Sequence, residues 1–267
     1  MKGMIDLYLS QMRIAIVTQF QYRVANYFYM IGMIAEPVIY LVVWSTVARA
    51  QGGSVGGYTP GEFAAYYIVW TLVRNMNIVL TPYAWEQMIR QGELSARLLL
   101  PVHPIHSDLA YFVGYKFVVI IMWLPIAAVL SFAFRPGLSP DLWQVGVFIV
   151  ALWGGFFVRF GLLWLLGLVT FWTMRVSAFF ELYFTAELLL SGRLVPLSLM
   201  PAWVQQLAGL LPFKWAFGFP IEVLIGQLTP QESVLGLAAQ AFWSLAGFGL
   251  VSLLWRASLR RYSAVGA

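Results

Sequence analysis

The chain has 267 residues, 61% of them hydrophobic and only 10% charged, with a formal net charge of +5; a soluble domain carries roughly 25% charged residues. So few polar side chains cannot cover a water-exposed surface, which excludes an ordinary soluble domain and predicts an all-α, polytopic membrane protein. The absence of cysteine excludes disulfides, thiolate metal sites and cysteine nucleophiles together, and no concentrated Lys/Arg tract suggests nucleic acid.

Residues 1–24 place Lys2, Asp6, Ser10 and Arg13 on one helical stripe and Ile5, Leu9, Met12, Ile16 and Phe20 on another, the pattern of a helix lying in the membrane interface. The stretch lacks the uninterrupted apolar centre and cleavage site of a signal peptide, so it is expected to stay on the mature protein. Six apolar stretches follow as expected spans: 25–48, 61–84, 110–134, 142–174, 176–190 and 233–255. The fourth is long enough that it must tilt or project into water, and the fifth is short for a full crossing. Residues 191–232 are apolar but broken by Pro196, Pro201, Pro212, Pro220 and Pro230. Broken backbone is tolerated at membrane depth only where protein or water covers it, so this region predicts short half-helices dipping into one leaflet from outside. The chain reads as a single transmembrane domain over 1–267.

With six spans both termini share a side. That side collects Lys2, Arg13, Arg23, Arg90, Arg97, Lys116, Arg175, Arg256, Arg260 and Arg261, and the other receives Arg49, Arg135, Arg193 and Lys214. The positive-inside rule therefore predicts cytosolic termini and a cytosolic segment at 85–108. In that segment Glu86, Arg90, Glu93 and Arg97 line one face of a helix expected from Trp85 to Arg97. Glu86 with Arg90 and Glu93 with Arg97 form acid-before-base pairs, each worth about 0.3–0.5 kcal/mol. Trp85, Met88 and Ile89 fall on other faces, free to rest on lipid or neighbouring helices. Pro101 and Pro104 are expected to stop the helix, and Ser107 to cap the one entering the third span. Such a segment reads either as a solvated amphipathic linker or as a docking helix that pushes on a cytosolic partner.

The run Ile89-Arg90-Gln91-Gly92-Glu93-Leu94-Ser95-Ala96-Arg97-Leu98-Leu99-Leu100-Pro101 resembles the loop between the second and third spans in permease subunits of ABC-2 type exporters. That loop has the form Ile-Arg-x-Gly-x-Leu-Asp, then leucines, then Arg-Pro; here Ser95 stands where an Asp is usual and Leu100 where the basic residue is usual. The run from Gly192 to Trp203, with Leu211-Pro212-Phe213 and Phe219-Pro220 beyond it, is similar to the re-entrant region between the last two spans of one branch of these permeases. The resemblance covers essentially the whole chain. It implies a transporter of two permeases, this chain with a second copy or a homologue, and two cytosolic P-loop ATPase subunits that carry ATP and Mg, in a bacterial inner membrane. It also implies that Glu86, Arg90, Gly92, Glu93 and Arg97 couple the chain to the ATPase. Independently, the sequence has no Gly-Lys pair and hence no phosphate loop of its own, so any ATP must be bound elsewhere and no catalytic residues are expected on this chain.

Glu36 and Arg74 sit near the middle of the first two spans at similar depth, where ion pairing would reduce the cost of burying either one. Arg159 has Glu187, or Glu181, as its expected partner. These residues either hold the bundle together or mark a substrate path. In the second case an ion-coupled carrier or channel is the alternative reading, with Glu36, Arg74, Arg159 and Glu187 as its working residues. Gly52-Gly53-Ser54-Val55-Gly56 matches a Gly-x-Ser-x-Gly nucleophile pattern but lacks the flanking strand and helix, and His103-Pro104-Ile105-His106 has only Asp108 nearby as a further ligand, so neither is taken as a site. The sequence does not name the substrate.

Overall fold

The computed structural model describes residues 2–79, 82–173 and 176–262; Met174, the expected end of the fourth span, and Arg175, counted above among the cytosolic cations, lie outside them. In chain order the helices are α1 (Lys2–Gln21), α2 (Arg23–Ala50), α3 (Pro60–Met76), α4 (Pro82–Arg90), α5 (Glu93–Leu98), α6 (Pro104–Phe134), α7 (Leu142–Gly167), α8 (Ser177–Leu190), α9 (Ala202–Leu210), α10 (Pro212–Ala216), α11 (Gly218–Leu224) and α12 (Pro230–Leu259). No strand occurs among the described residues. Among the described residues, four helices are long and apolar enough to cross a membrane: α2, α6, α7 continued by a 3-10 turn to Phe171, and α12. The six-span expectation is thus not met by length, because α3 has 17 residues and α8 has 14.

Helix starts follow local chemistry. Thr59-Pro-Gly-Glu62 and Thr229-Pro-Gln-Glu232 form capping boxes in which the threonine hydroxyl accepts the glutamate N–H at 3.3 Å, and the carboxylate accepts the threonine N–H at 2.7 and 2.8 Å. Proline follows at the first helical position, where its missing donor costs nothing. Asp141 and Gln144 open α7 in the same manner. The ends of two connectors meet where Gly137 N–H donates to Gly61 O at 2.9 Å, which sets the start of α3 level with the end of α6.

α3 is the hub. Nearly every residue from Phe63 to Met76 is buried, packed between α2, α6, α7 and α11. It also ends eight residues before the expected span does. Pro82 cannot continue a helix because its ring clashes with the carbonyl four residues earlier, that of Ile78. Here that carbonyl accepts from Lys116 Nζ on α6, which also reaches Asn75 O at 3.4 Å. Arg159 Nη1 on α7 takes Asn77 O, and Asn77 Nδ2 donates to Val73 O and Ala216 O, both at 3.0 Å. The orphan carbonyls of a helix C-terminus thus meet two cations from neighbouring helices, the sign the helix dipole favours.

Lys116 therefore does not belong to the cytosolic anchors. It is fully buried, about 18 Å along α6 from Pro104 at 1.5 Å per residue.

The hairpin of α10 and α11 turns at residues 216–218, against α7 where Gly155 leaves no room for a Cβ beside Ala216 O. Gln240 on α12 fixes the same turn by donating to Trp215 O and Ala151 O, both at 2.8 Å. Asn77 lies about 25 Å along the α3 axis from Pro60, so the short helices reach the depth at which α3 stops.

At the other end of the chain α1 packs along α6. Ala15 is fully buried, and a Cβ on Gly114 would stand 2.7 Å from the Met12 backbone. The predicted apolar stripe divides accordingly: Met12 and Ile16 turn toward α6, while Ile5, Leu9 and Phe20 stay exposed, as do Asp6, Ser10 and Arg13.

Candidate functional site

Two groups of polar residues stand out, one around α4 and α5 and one at the level where α3 ends. In the first, the single helix expected from Trp85 to Arg97 is broken. Gly92 adopts φ 72°, a left-handed conformation that glycine reaches without strain; its N–H closes α4 on Ile89 O at 3.2 Å, and α5 starts at the next residue. The four-residue charged face is therefore not continuous.

Arg97 turns inward. Its Nη2 lies 2.6 Å from Asp108 Oδ1 and 3.1 Å from Pro104 O, and its Nη1 is 3.3 Å from Met88 Sδ. Asp108 Oδ2 accepts from Trp164 Nε1 at 3.1 Å, so one carboxylate ties α5 to the start of α6 and the end of α7. Trp85, 1% exposed, packs edge-on against Trp164 with ring centroids 4.8 Å apart and fills the space that Gly167 leaves by having no side chain. Met88, Ile89 and Leu94 form a buried cluster beside it, so these apolar residues rest on protein and not on lipid. Ser95 Oγ is 2.7 Å from the Tyr262 hydroxyl, fastening α5 to the chain's last described residue. The side chains of Glu86 and Arg90 lie outside the described residues. Glu93 is exposed.

His103, not Ser107, caps α6: its Nδ1 accepts the Ile105 N–H at 3.2 Å, and Pro104 takes the first helical position instead of ending anything. Burial between Trp164 and Trp255, with His106 adding a smaller effect, pushes the His103 imidazole down to about 4. Among the described residues, Gln87, Gln91, Glu93, Ala96, Pro101 and above all Leu99 and Leu100, 86% and 58% exposed, remain outward on this segment.

In the second group Arg74 Nη1 lies 2.8 Å from Glu36 Oε2. Arg193 binds the same carboxylate through two bonds, Nε to Oε1 at 2.9 Å and Nη2 to Oε2 at 2.7 Å, and Tyr40 adds a hydroxyl at 3.3 Å. The outer-side placement of Arg193 is thereby corrected: Glu36 is about 20 Å along α2 from either end of that helix. The backbone of 192–194 is drawn in by Tyr66, which donates to Gly192 O at 2.8 Å, and by Tyr67 and Trp44, which donate to Leu194 O at 2.9 and 3.2 Å. Arg159 and Glu187 form a two-bond pair at 2.8 and 3.0 Å. Between the pairs lies a cavity of about 200 Å³, walled by Arg74, Arg159, Arg193, Glu187 and the rings of Trp70, Phe184 and Phe217. Sequence reasoning missed Arg193 and Lys116 because position along the chain had assigned them to opposite surfaces, and Asp108 because the Pro101–Pro104 reversal that brings it to Arg97 is not a periodic signal.

A family model described as "ABC-2 family transporter protein" matches residues 34–266. The chain belongs to the ABC-2 transporter family. None of the curated proteins compared matches it. As an ABC-2 permease it is a multi-pass membrane protein and the transport subunit, not itself catalytic, of a family that works with an ATP-binding partner. The match begins within α2, so α1 lies outside it.

Proposed function

We propose that this permease forms the translocation path of an ATP-driven exporter and couples to a separate cytosolic ATPase subunit through α4 and α5. It crosses the bacterial inner membrane six times, with α3 and α8 as short crossings completed by the α10–α11 hairpin, and with both termini in the cytosol. A second permease, identical or homologous, completes the path, and ATP with Mg binds the ATPase. The observation that carries this reading is the Arg97–Asp108–Trp164 connection. It joins an outward-facing segment to the ends of two long apolar helices, so a push on α5 reaches both through charge-assisted hydrogen bonds and a packed Trp85. Leu99, Leu100 and Glu93 supply the outward face, with Arg97 positioning it from within.

Because the chain has no cysteine, Leu99→Cys introduces a sole thiol. Crosslinking in native membranes, followed by identification of the adduct, is expected to yield a P-loop ATPase. Labelling of the thiol by a water-soluble maleimide with no ATPase adduct, at both Leu99→Cys and Ala96→Cys, would overturn the coupling role. It would favour the ion-coupled carrier, in which Glu36, Arg74, Arg159 and Glu187 do the work.

A further inference from the structure

The last turns of α2, the end of α6 and the start of α3 enclose a cavity of about 440 Å³ at the end of α6 far from α5. Its wall includes two cations, Arg49 and Arg135, and an apolar part, Leu41, Val42, Ala133 and Phe134. Pro60 and Gly61 close it at the start of α3, tied there by the Ser45 hydroxyl, which donates to Pro60 O at 3.4 Å, and by the Gly137 N–H on Gly61 O. Among the described residues no acidic side chain lines it. Glu62, next in the chain to Gly61, has its Oε2 taken by the Thr59 N–H and hydroxyl, both at 2.7 Å. Neither Arg49 nor Arg135 forms an ion pair or a side-chain hydrogen bond among the described residues.

Polarity changes along these helices in the order found along a phospholipid. Val42, Thr46 and Arg49 are spaced four and three apart, so they form one stripe of α2. A helical side chain leans back over the turn before it, which brings Arg49 over the cavity from the helix end, while Leu41 lies about 12 Å deeper. Ile39 and Val129 sit one turn further from the helix ends, on the faces of Val42 and Ala133. Both are exposed, so the apolar wall runs on to a surface that meets hydrocarbon. Arg135 supplies a separate observation. Among the described residues it is the only non-glycine with positive φ, 47°, at the place after a helix that glycine ordinarily fills because a Cβ is strained there. A side chain held in such a conformation is an outlier of the kind that collects at ligand sites.

We propose that this cavity binds one anionic phospholipid of the bilayer, its phosphate bridged by the Arg49 and Arg135 guanidiniums and its chains running along Val42 and Ala133 into the membrane. Guanidinium forks match phosphate oxygens two at a time, and a wall without a carboxylate offers no partner to the ammonium of a zwitterionic lipid. The volume falls within the ~300–1,000 Å³ of small-molecule sites, room for the headgroup and the first part of the chains. The proposal rests on the reading of α2 and α6 as spans, with the outer leaflet as the lipid's source on the proposed topology, and not on how the ATPase is coupled.

The test is native mass spectrometry of the full-length permease in detergent, titrated with phosphatidylglycerol and with phosphatidylcholine of the same chains. The first phosphatidylglycerol is expected to bind at least about tenfold more tightly, the scale of one charge-assisted hydrogen bond. The preference should shrink to a few-fold in the double variant Arg49→Gln, Arg135→Gly. It should persist in Arg260→Gln, an exposed cation one turn beyond the Trp255 that packs on His103, at the opposite end of the bundle. Arg135→Gly alone is expected to melt no lower than the parent chain, since glycine takes φ 47° without strain, and still to lose most of the preference. It keeps the test open if the double variant does not fold. Glycerol phosphate, the same headgroup chemistry without chains, is expected not to displace the lipid at equal concentration; displacement would assign the cavity to a soluble anion and overturn the proposal. Equal binding of the two lipids would also overturn it, as would a preference unchanged in folded Arg135→Gly, or one lost equally in Arg260→Gln. Failure of the Leu99→Cys crosslink leaves this titration untouched, so the two readings fail separately.

Discussion

Glu36 is the residue on which the charged layer turns. Two guanidiniums share its carboxylate, and its side chain is 28% exposed, so its removal leaves two cations facing a medium of low dielectric. Glu36→Gln is expected to lower stability by about 3 kcal/mol, the low end of the cost of breaking a buried pair, because exposure screens part of it. Neutralising Arg74 as well should rescue only part of the loss, since Arg193 still lacks its partner. The triple change, with Arg193→Gln added, should rescue more. Thermal unfolding of the three variants in one detergent reads this directly, and full rescue by the Arg74 change alone would show that Arg193 contributes nothing.

His103 gives a second test at this scale. Its Nδ1 must stay unprotonated to accept the Ile105 N–H, and its folded value near 4 lies below the ordinary 6.5. The folded chain therefore binds fewer protons than the unfolded one. This contribution is complete above pH 6.5 and is lost as pH falls from 6.5 toward 4. His103→Asn keeps a cap acceptor without the titration, so the melting temperature should depend less steeply on pH across that window than in the parent chain.

At the scale of elements, close approach of backbones decides which helices touch. α1 reaches α6 only because Gly114 has no side chain: a Cβ there would lie 2.7 Å from Met12 Cα and from its carbonyl oxygen, and neither is the end of a flexible side chain. Gly114→Ala is expected to destabilise the protein by about 1–3 kcal/mol through overpacking. Gly146→Ala, where a new Cβ meets nothing within 4 Å, should be neutral or stabilising by up to about 1 kcal/mol from helix propensity alone. Equal melting temperatures for the two variants would mean that α1 is not held by this contact.

The same scale explains what sequence periodicity could and could not reveal. The long apolar helices were legible to within about six residues, since their apolar composition runs on unbroken even across Pro37 in α2 and Pro125 in α6. The break at Gly92 was visible as a glycine in the sequence, yet a regular charge spacing suggested a continuous helix. Only the left-handed conformation at that residue shows that Glu93 and Arg97 belong to a separate turn, with Arg97 facing Asp108.

Across the whole molecule, α3 and the α10–α11 hairpin occupy the centre, and the long helices α2, α6, α7 and α12 surround them. The depth at which α3 ends is also the depth of Lys116, Arg159 and Asn77, so helix termination, ion pairing and the cavity belong to one layer. The sequence by itself determined the class of protein: an excess of apolar residues leaves no soluble solution, the Thr-Pro-x-Glu runs at Thr59 and Thr229 mark helix starts, and equal depth along two helices is enough to bring Glu36 within reach of Arg74. Tertiary structure alone decided that Arg193 comes inward to the same carboxylate, that Lys116 serves the end of α3 and not the cytosolic surface, and that Arg97 finds Asp108. The physical reason is that charge counting along a chain assigns residues by distance from a helix end. A buried cation, by contrast, goes wherever the folded backbone presents a carboxylate or an unpaired carbonyl, and those positions exist only after the helices have packed.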